Sequence, residues 1–210
     1  MSRPTTLKLG EVALRPLGDV GEFARGRRFT KADIVEEGLP CIHYGEIYTH
    51  YGVATYSTIS QVRGDLKPTL RFAKTGDVVF AAVGETVEDV GKAVAWLGDE
   101  DVAIHDDCFI FRSPLDPKYV AYFTQTDAFN RPKAPLVARA KVKRLSSEGL
   151  ARLRIPVPPL DVQCEVVRVL DRLAELKADL KVNLDAELFA REAQFSHYRE
   201  RLLAFEGLTS

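Results

Sequence analysis

Residues 155–163 read IPVPPLDVQ, and the character of the chain changes across them. Three prolines in four positions fix an extended backbone and forbid a helix from running through. From Asp161 to about Phe205 there is then no proline or glycine, and Leu170, Leu173, Leu176, Leu180, Leu184 and Leu188 recur at spacings of three and four. That spacing predicts one apolar face on a long helix. Unbroken, about 45 residues would reach about 68 Å at 1.5 Å per residue; Asn183 and Asp185 are the candidate points for a bend or break. A compact domain of this size is too small to cover such a stripe, so part of the helix is expected to pack on another helix.

Upstream, from about residue 10 to 155, the apolar residues come in short groups broken by Gly, Pro and Asp, the pattern of strands and turns with a few helices. Expected strands are 41–48 (CIHYGEIY), 77–83 (DVVFAAV), 92–97 (KAVAWL) and 108–112 (CFIFR). Residues 119–126 (YVAYFTQT), just after an aspartate and a proline, read instead as a short helix. The chain therefore divides into two expected parts, a globular one over 1–155 and a helical one over 156–210.

A length of 210 residues suits one core and an appendage. Cys41, Cys108 and Cys164 are far apart and form no C-x-x-C pair, so neither a disulfide framework nor a zinc site is indicated. With no basic-then-apolar leader and no apolar run near the roughly 20 residues that span a bilayer, the expectation is a cytoplasmic protein without a membrane partner. The net charge of −1 argues at first against nucleic acid, but the charge is sorted along the chain. Residues 128–155 carry Arg131, Lys133, Arg139, Lys141, Lys143, Arg144, Arg152 and Arg154 against Glu148 alone, whereas the acidic residues of 84–107 face only Lys92.

Catalytic motifs are incomplete. GETVEDVGKA (84–93) brushes against a phosphate-binding loop, but Thr86 stands where a glycine is needed, Ala93 replaces the metal-binding hydroxyl, and Glu88 and Asp89 would repel phosphate. His105, Asp106, Asp107 and Cys108 are the densest group of potential metal ligands. Neighbours in an extended segment point to opposite faces, so the spacing argues for a solvated loop and no metal is expected. His43, His50 and His197 accompany no nucleophile elbow. The Asn/Asp-Pro-Pro-aromatic motif of an amino-methyltransferase is missing too. No catalytic residues and no cofactor are therefore expected.

DNA-binding ingredients are better represented. RGRRF (25–29) joins a glycine hinge to Arg25, Arg27 and Arg28; HYGEIYTHY (43–51) interleaves His43, Tyr44, Thr49 and His50; and ARAKVKR (138–144) is a basic run holding Arg139, Lys141, Lys143 and Arg144. With Lys92, these twelve form the candidate DNA-binding set. Guanidinium and ammonium groups suit phosphates and the guanine edge, while Thr, Tyr and His reach bases or backbone.

Over nearly its whole length the chain also resembles a known family. LGDVGEFARGRRFTKADIVEEGLPCIHYGEIYTHYG (17–52), LKPTLRFAKTGDVVFAAVGET (66–86), KVKRLSSEGLARLRIPVPPLDVQ (141–163) and LDAELFAREAQFSHYRERLLAF (184–205) are similar in wording and order to the specificity subunit of type I restriction-modification enzymes. Departures are Ala140, where a glycine is expected before the Lys-Val pair, and Phe195, where tyrosine is common. The resemblance implies a mixed α/β target recognition domain, α+β in class, over 1–155, followed by a helical spacer that forms an antiparallel coiled coil over 156–210. It further implies a non-catalytic subunit that binds double-stranded DNA, reads one half of a bipartite site and scaffolds methyltransferase and endonuclease subunits, with S-adenosylmethionine on the methyltransferase partners. A family subunit carries two such domain-and-helix pairs and this chain one, so a homodimer is expected. Two other functions compete. One is a metal-dependent nuclease using Asp106 and Asp107; the other is a structural adaptor or DNA mimic built on the acidic segment, which would inhibit the methyltransferase.

Overall fold

The computed structural model describes residues 12–138 and 142–204. In chain order its first elements are β1 (Leu14–Pro16), α1 (Leu17–Val20), β2 (Glu22–Arg25), β3 (Ile34–Val35), β4 (Leu39–Ile42), α2 (Tyr44–Thr49), β5 (Ala54–Thr55) and β6 (Ser60–Val62). There follow β7 (Phe72–Ala73), β8 (Val78–Ala81), β9 (Val83–Gly84), β10 (Ala93–Trp96), β11 (Val102–Ile104) and β12 (Cys108–Arg112). The rest comprises α3 (Pro117–Phe123), α4 (Asp127–Lys133), β13 (Lys143–Arg144), α5 (Ser147–Arg152), β14 (Arg154–Pro156) and α6 (Leu160–Leu203). The mixed α/β class with a long final helix is what the sequence predicts. By contacts the chain falls into two units, one ending at Val167 and one beginning at Arg168.

Two five-stranded sheets build the first unit, in the orders β2-β12-β8-β10-β5 and β3-β6-β4-β11-β7. Their strands explain the near-continuous apolar runs VVFA and CFIF, because the first sheet is buried on both faces. Val78, Phe80, Phe109 and Phe111 point to one side, into a core completed by Leu17 of α1, Tyr119 of α3, Phe129 of α4 and Leu150 of α5. Val79, Ala81, Cys108 and Ile110 point to the other, where Ile42, Val102 and Ile104 of the second sheet and Ile47 of α2 meet them. Phe29, Cys41, Val62 and Ala103 fill a third, smaller cluster. Each fully buried large apolar side chain contributes about 1.5–3 kcal/mol relative to exposure.

A turn with Gly76 at φ +91° feeds β8. Buried Asp77 closes it, accepting the Lys74 backbone N–H at 2.8 Å and the Arg112 Nε–H at 3.0 Å. The segment resembling a phosphate-binding loop is likewise strand, turn and strand: Gly84 ends β9, and Gly91, at φ +81°, leads into β10. No helix N-terminus follows to receive a phosphate.

The expected strand over 41–48 is corrected. β4 stops at Ile42, and α2 begins because His43 caps it: His43 Nδ1 accepts the Gly45 N–H at 3.3 Å while the Glu46 carboxylate accepts the His43 N–H at 3.1 Å. The reciprocal pair satisfies donors that would otherwise be orphaned at the helix start. Glu46 also accepts from Ser60 Oγ at 2.5 Å, tying α2 to β6.

The proline segment behaves as an extended strap. Residues 154–156 pair antiparallel with β1, Leu14 opposite Pro156. α6 then runs 44 residues, about 66 Å, through Asn183 and Asp185 without the break for which they were candidates. The rotation of 100° per residue puts Leu173, Leu180, Leu184 and Leu188 on one side; all are more than half exposed, Leu180 at 68%. Leu176 is nearly half exposed, and Leu170 is partly buried. Among the described residues no helix is long and apolar enough to cross a membrane.

Candidate nucleic-acid interface

Arg25 ends β2, the edge strand of the first sheet that pairs with β12, and its neighbour Gly26 lets two backbones touch. A Cβ on Gly26 would sit 2.0 Å from the His105 carbonyl oxygen, so the glycine serves close packing, and its φ is not positive; it is no hinge. Gly26 and Arg27 donate backbone N–H groups to the Cys108 and Ile104 carbonyls at 3.0 and 2.8 Å. The chain between β2 and the turn at Thr30–Asp33 is thereby laid against the 104–108 connection, and the side chains of both come together.

They line a cleft of about 380 Å³ formed by Arg25, Arg28, Phe29, Thr30, Lys31, His43, His105, Asp106, Asp107 and Arg144. Four candidate DNA-binding residues, Arg25, Arg28, His43 and Arg144, converge here from three separate stretches of sequence. Arg144 arrives through β13, which pairs with β9 as Arg144 opposite Val83, and its carbonyl accepts the Ala138 N–H at 2.9 Å. Arg139 and Lys141 lie outside the described residues.

Charge in the cleft is paired unevenly. Arg144 bonds Asp107 at 2.9 Å, Arg25 NH2 stands 3.9 Å from the same carboxylate oxygen, and Arg25 Nε donates to the Asp106 carbonyl at 2.7 Å. Arg28 and Lys31 form no ion pair among the described residues. His43, by contrast, is neutral near pH 7: burial above all, and then the neighbouring His105, hold its pKa down to about 4. With Nδ1 accepting from Gly45, the N–H of the neutral ring is on Nε2.

The other candidates are dispersed. Tyr44 is half-buried and packs on both large cores, so its ring serves the fold. Thr49 and His50 are exposed at the C-terminal end of α2, where Thr49 Oγ1 donates to the Gly45 carbonyl at 2.8 Å. Lys92 lines a different cleft, about 400 Å³, with Tyr48, Tyr51, Glu88, Gln125 and Asn130, and its ammonium lies 3.4 Å from Asp89. Arg27 is exposed and outside both clefts, and Lys143 stands opposite Gly84 in β13. Lys31 was missed by sequence reasoning; the signal available was TKAD (30–33), a capping turn that sets a lysine beside the arginines.

His105, Asp106 and Asp107 do place ligand atoms within 4.8 Å of one another. Protein partners already engage them. His105 Nδ1 accepts the Asp107 N–H at 3.1 Å, which leaves Nε2 to donate to the Phe29 carbonyl at 3.0 Å. With two guanidiniums beside Asp107, a cation would meet repulsion and would have to break these bonds. The cluster suits fastening arginines better than binding metal.

Known proteins agree with this architecture. Residues 10–189 match the model of the type I restriction modification DNA specificity domain. A Haemophilus influenzae protein described as a type I restriction enzyme specificity subunit is 40% identical over 194 residues, 90% of this chain and 47% of that protein. The Escherichia coli EcoR124I/EcoR124II specificity subunit is 33% identical over 94 residues, 42% of this chain and 21% of that one. Among solved structures, the HsdS subunit from Thermoanaerobacter tengcongensis superposes with a TM-score of 0.57 at 19% identity, covering 85% of this chain and 41% of that chain. A chain from work on complex assembly of the type I R-M system gives 0.64 at 18%, covering 92% and 46%. The chain thus spans about half the length or less of the relatives it matches. By the extent of the domain match and the shared fold, this chain belongs to the DNA specificity family of type I restriction-modification systems.

Proposed function

We propose that this chain is a non-catalytic specificity subunit that binds double-stranded DNA, reads one half of a bipartite site and scaffolds methyltransferase and endonuclease subunits in the cytoplasm. The observation that carries the reading is the cleft in which Arg25, Arg28, Lys31 and Arg144 converge, while the helix beyond bears an uncovered leucine stripe. Residues 1–155 are the target recognition domain and 156–210 the spacer. The stripe pairs antiparallel with that of a second copy, so two recognition domains read inverted halves at a separation fixed by helix length. Methyl transfer and cleavage belong to the partners: the methyltransferase holds S-adenosylmethionine and flips the target adenine into its own pocket.

The test is to co-express the chain with methyltransferase subunits, weigh the complex and sequence the methylated sites. A palindromic bipartite motif with two copies of the chain is the expected result. Methylation at a site with unlike halves, or cleavage of DNA by the chain and magnesium alone, would overturn the proposal.

A further inference from the structure

Two kinds of cation line the cleft that holds Arg25 and Arg144, and they differ in how they are paired. Arg25 and Arg144 are held by Asp106 and Asp107, a group of two positive and two negative side chains whose formal charges cancel. Such a group has little net charge with which to displace counterions from DNA, and Coulomb attraction for a phosphate is largely cancelled. It retains direction. Asp107 is 18% exposed at its side chain and both arginine side chains are 55% exposed; the carboxylate hydrogen-bonds Arg144 from beneath at 2.9 Å and stands 3.9 Å from Arg25, whose Nε is fixed by the Asp106 carbonyl, so other N–H groups of both forks stay accessible. A guanidinium has five donors in a rigid fork, and fixing some of them sets the angle of the others. Arg28 and Lys31, in the same cleft and without an ion pair among the described residues, have the opposite properties: full charge and a free range of orientation.

Resting on the DNA-reading function above, we propose that Asp107 is a positioning residue that aims Arg25 and Arg144 at guanine edges in the major groove, leaving phosphate contacts to Arg28 and Lys31. Guanine offers two acceptors, O6 and N7, side by side, which a fixed guanidinium meets with two hydrogen bonds. Asp107 itself is held at both ends of its peptide: its N–H bonds His105 Nδ1 at 3.1 Å, and its carbonyl accepts the Ala82 N–H at 2.9 Å. The carboxylate is thereby anchored to the first sheet, and the aim of the arginines is referred to that sheet.

The test selects bound duplexes from a randomised pool with the full chain, then measures affinity against salt for each variant. The parent is expected to enrich a motif containing at least one G·C pair. Arg144→Lys keeps the charge and removes the fork, so preference at a guanine position falls roughly tenfold or more with the salt slope unchanged. Asp107→Asn frees both arginines for phosphates; it lowers the same preference, and the salt slope steepens by about one to two. Asp107→Glu, which restores the charge, recovers part of the preference. Arg28→Ala and Lys31→Ala keep the motif and each reduce the salt slope by about one. An unchanged motif with Arg144→Lys overturns the proposal, and because that side chain is half-exposed the variant tests it even if Asp107→Asn fails to fold. If the parent enriches no motif, the DNA-reading function itself is wrong, an outcome distinct from a motif that survives the substitution.

Discussion

The buried side-chain amide of Gln163 joins Asp116 to the proline strap: its oxygen accepts the Asp116 backbone N–H at 2.9 Å, and its nitrogen donates to the Pro158 carbonyl at 2.8 Å. One residue in the first turn of the long helix thus ties α3 to the segment that enters the helix. Gln163→Leu leaves a donor and an acceptor stranded at a buried site, at about 1–3 kcal/mol for each group. Urea unfolding should show a lower midpoint with an unchanged slope. An unaltered midpoint would show that water replaces the amide without loss.

Gly26→Ala is expected to be as severe through a different cause. The added methyl meets the His105 and Ile104 carbonyls at 2.0 and 2.4 Å, both of them backbone, so strands rather than side chains must move. Overpacking of this kind costs about 1–3 kcal/mol. Because the same crossing positions Arg25 and Arg28, the variant should lose DNA affinity in proportion beyond its loss of stability; equal Tm to the parent would refute the close-approach role.

Acid should destabilise the recognition domain through His43. Its pKa falls from an ordinary 6.5 to about 4 on folding, so between those values the unfolded chain binds the more protons. The associated stability is complete above pH 6.5 and lost progressively as pH falls towards 4. His43→Asn keeps a side-chain acceptor at the cap of α2 and removes the titration. Its Tm should decline less than the parent's from pH 6.5 to 4.5, and a matching decline in both would assign the acid sensitivity elsewhere.

The paired-helix reading predicts that Leu180→Glu combined with Leu184→Glu dissociates the dimer. Each leucine withdrawn from an interface forfeits about 1.5–3 kcal/mol, so the double variant in both copies weakens self-association at least a hundredfold. Sedimentation should find a monomer with unchanged near-ultraviolet dichroism of the recognition domain. A dimer that persists means another surface holds it.

The elements most legible in sequence were those whose pattern is local. CFIFR forms β12 over the expected residues, and the leucine period with no Gly or Pro placed α6 within two residues at either end. The segment 41–48 misled because Tyr and Ile favour strands, whereas a histidine acting as helix cap with Glu46 is a tertiary-supported device with no strong local signature. In the cleft, residue types announced the cations but not their partners. Arg25 and Asp106 are 81 positions apart, and the acidic stretch read as a solvated loop or a DNA mimic; two of its residues hold basic side chains in place, Asp106 through its backbone carbonyl and Asp107 through its carboxylate. Lys31 was passed over because a lone lysine outside a basic run carries no pattern until the turn at Thr30 folds it inward.

The pairing of β1 with β14 has a consequence for modularity. Leu14 lies opposite Pro156, so the chain enters and leaves the intervening 141 residues through adjacent positions of one strand pair. A body attached at two neighbouring points behaves as a cassette: another insert of different loops, with the same pair of strands at its base, can take its place with the helix register untouched. On the DNA-reading function proposed above, exchange of this single contiguous segment would change the site that is read.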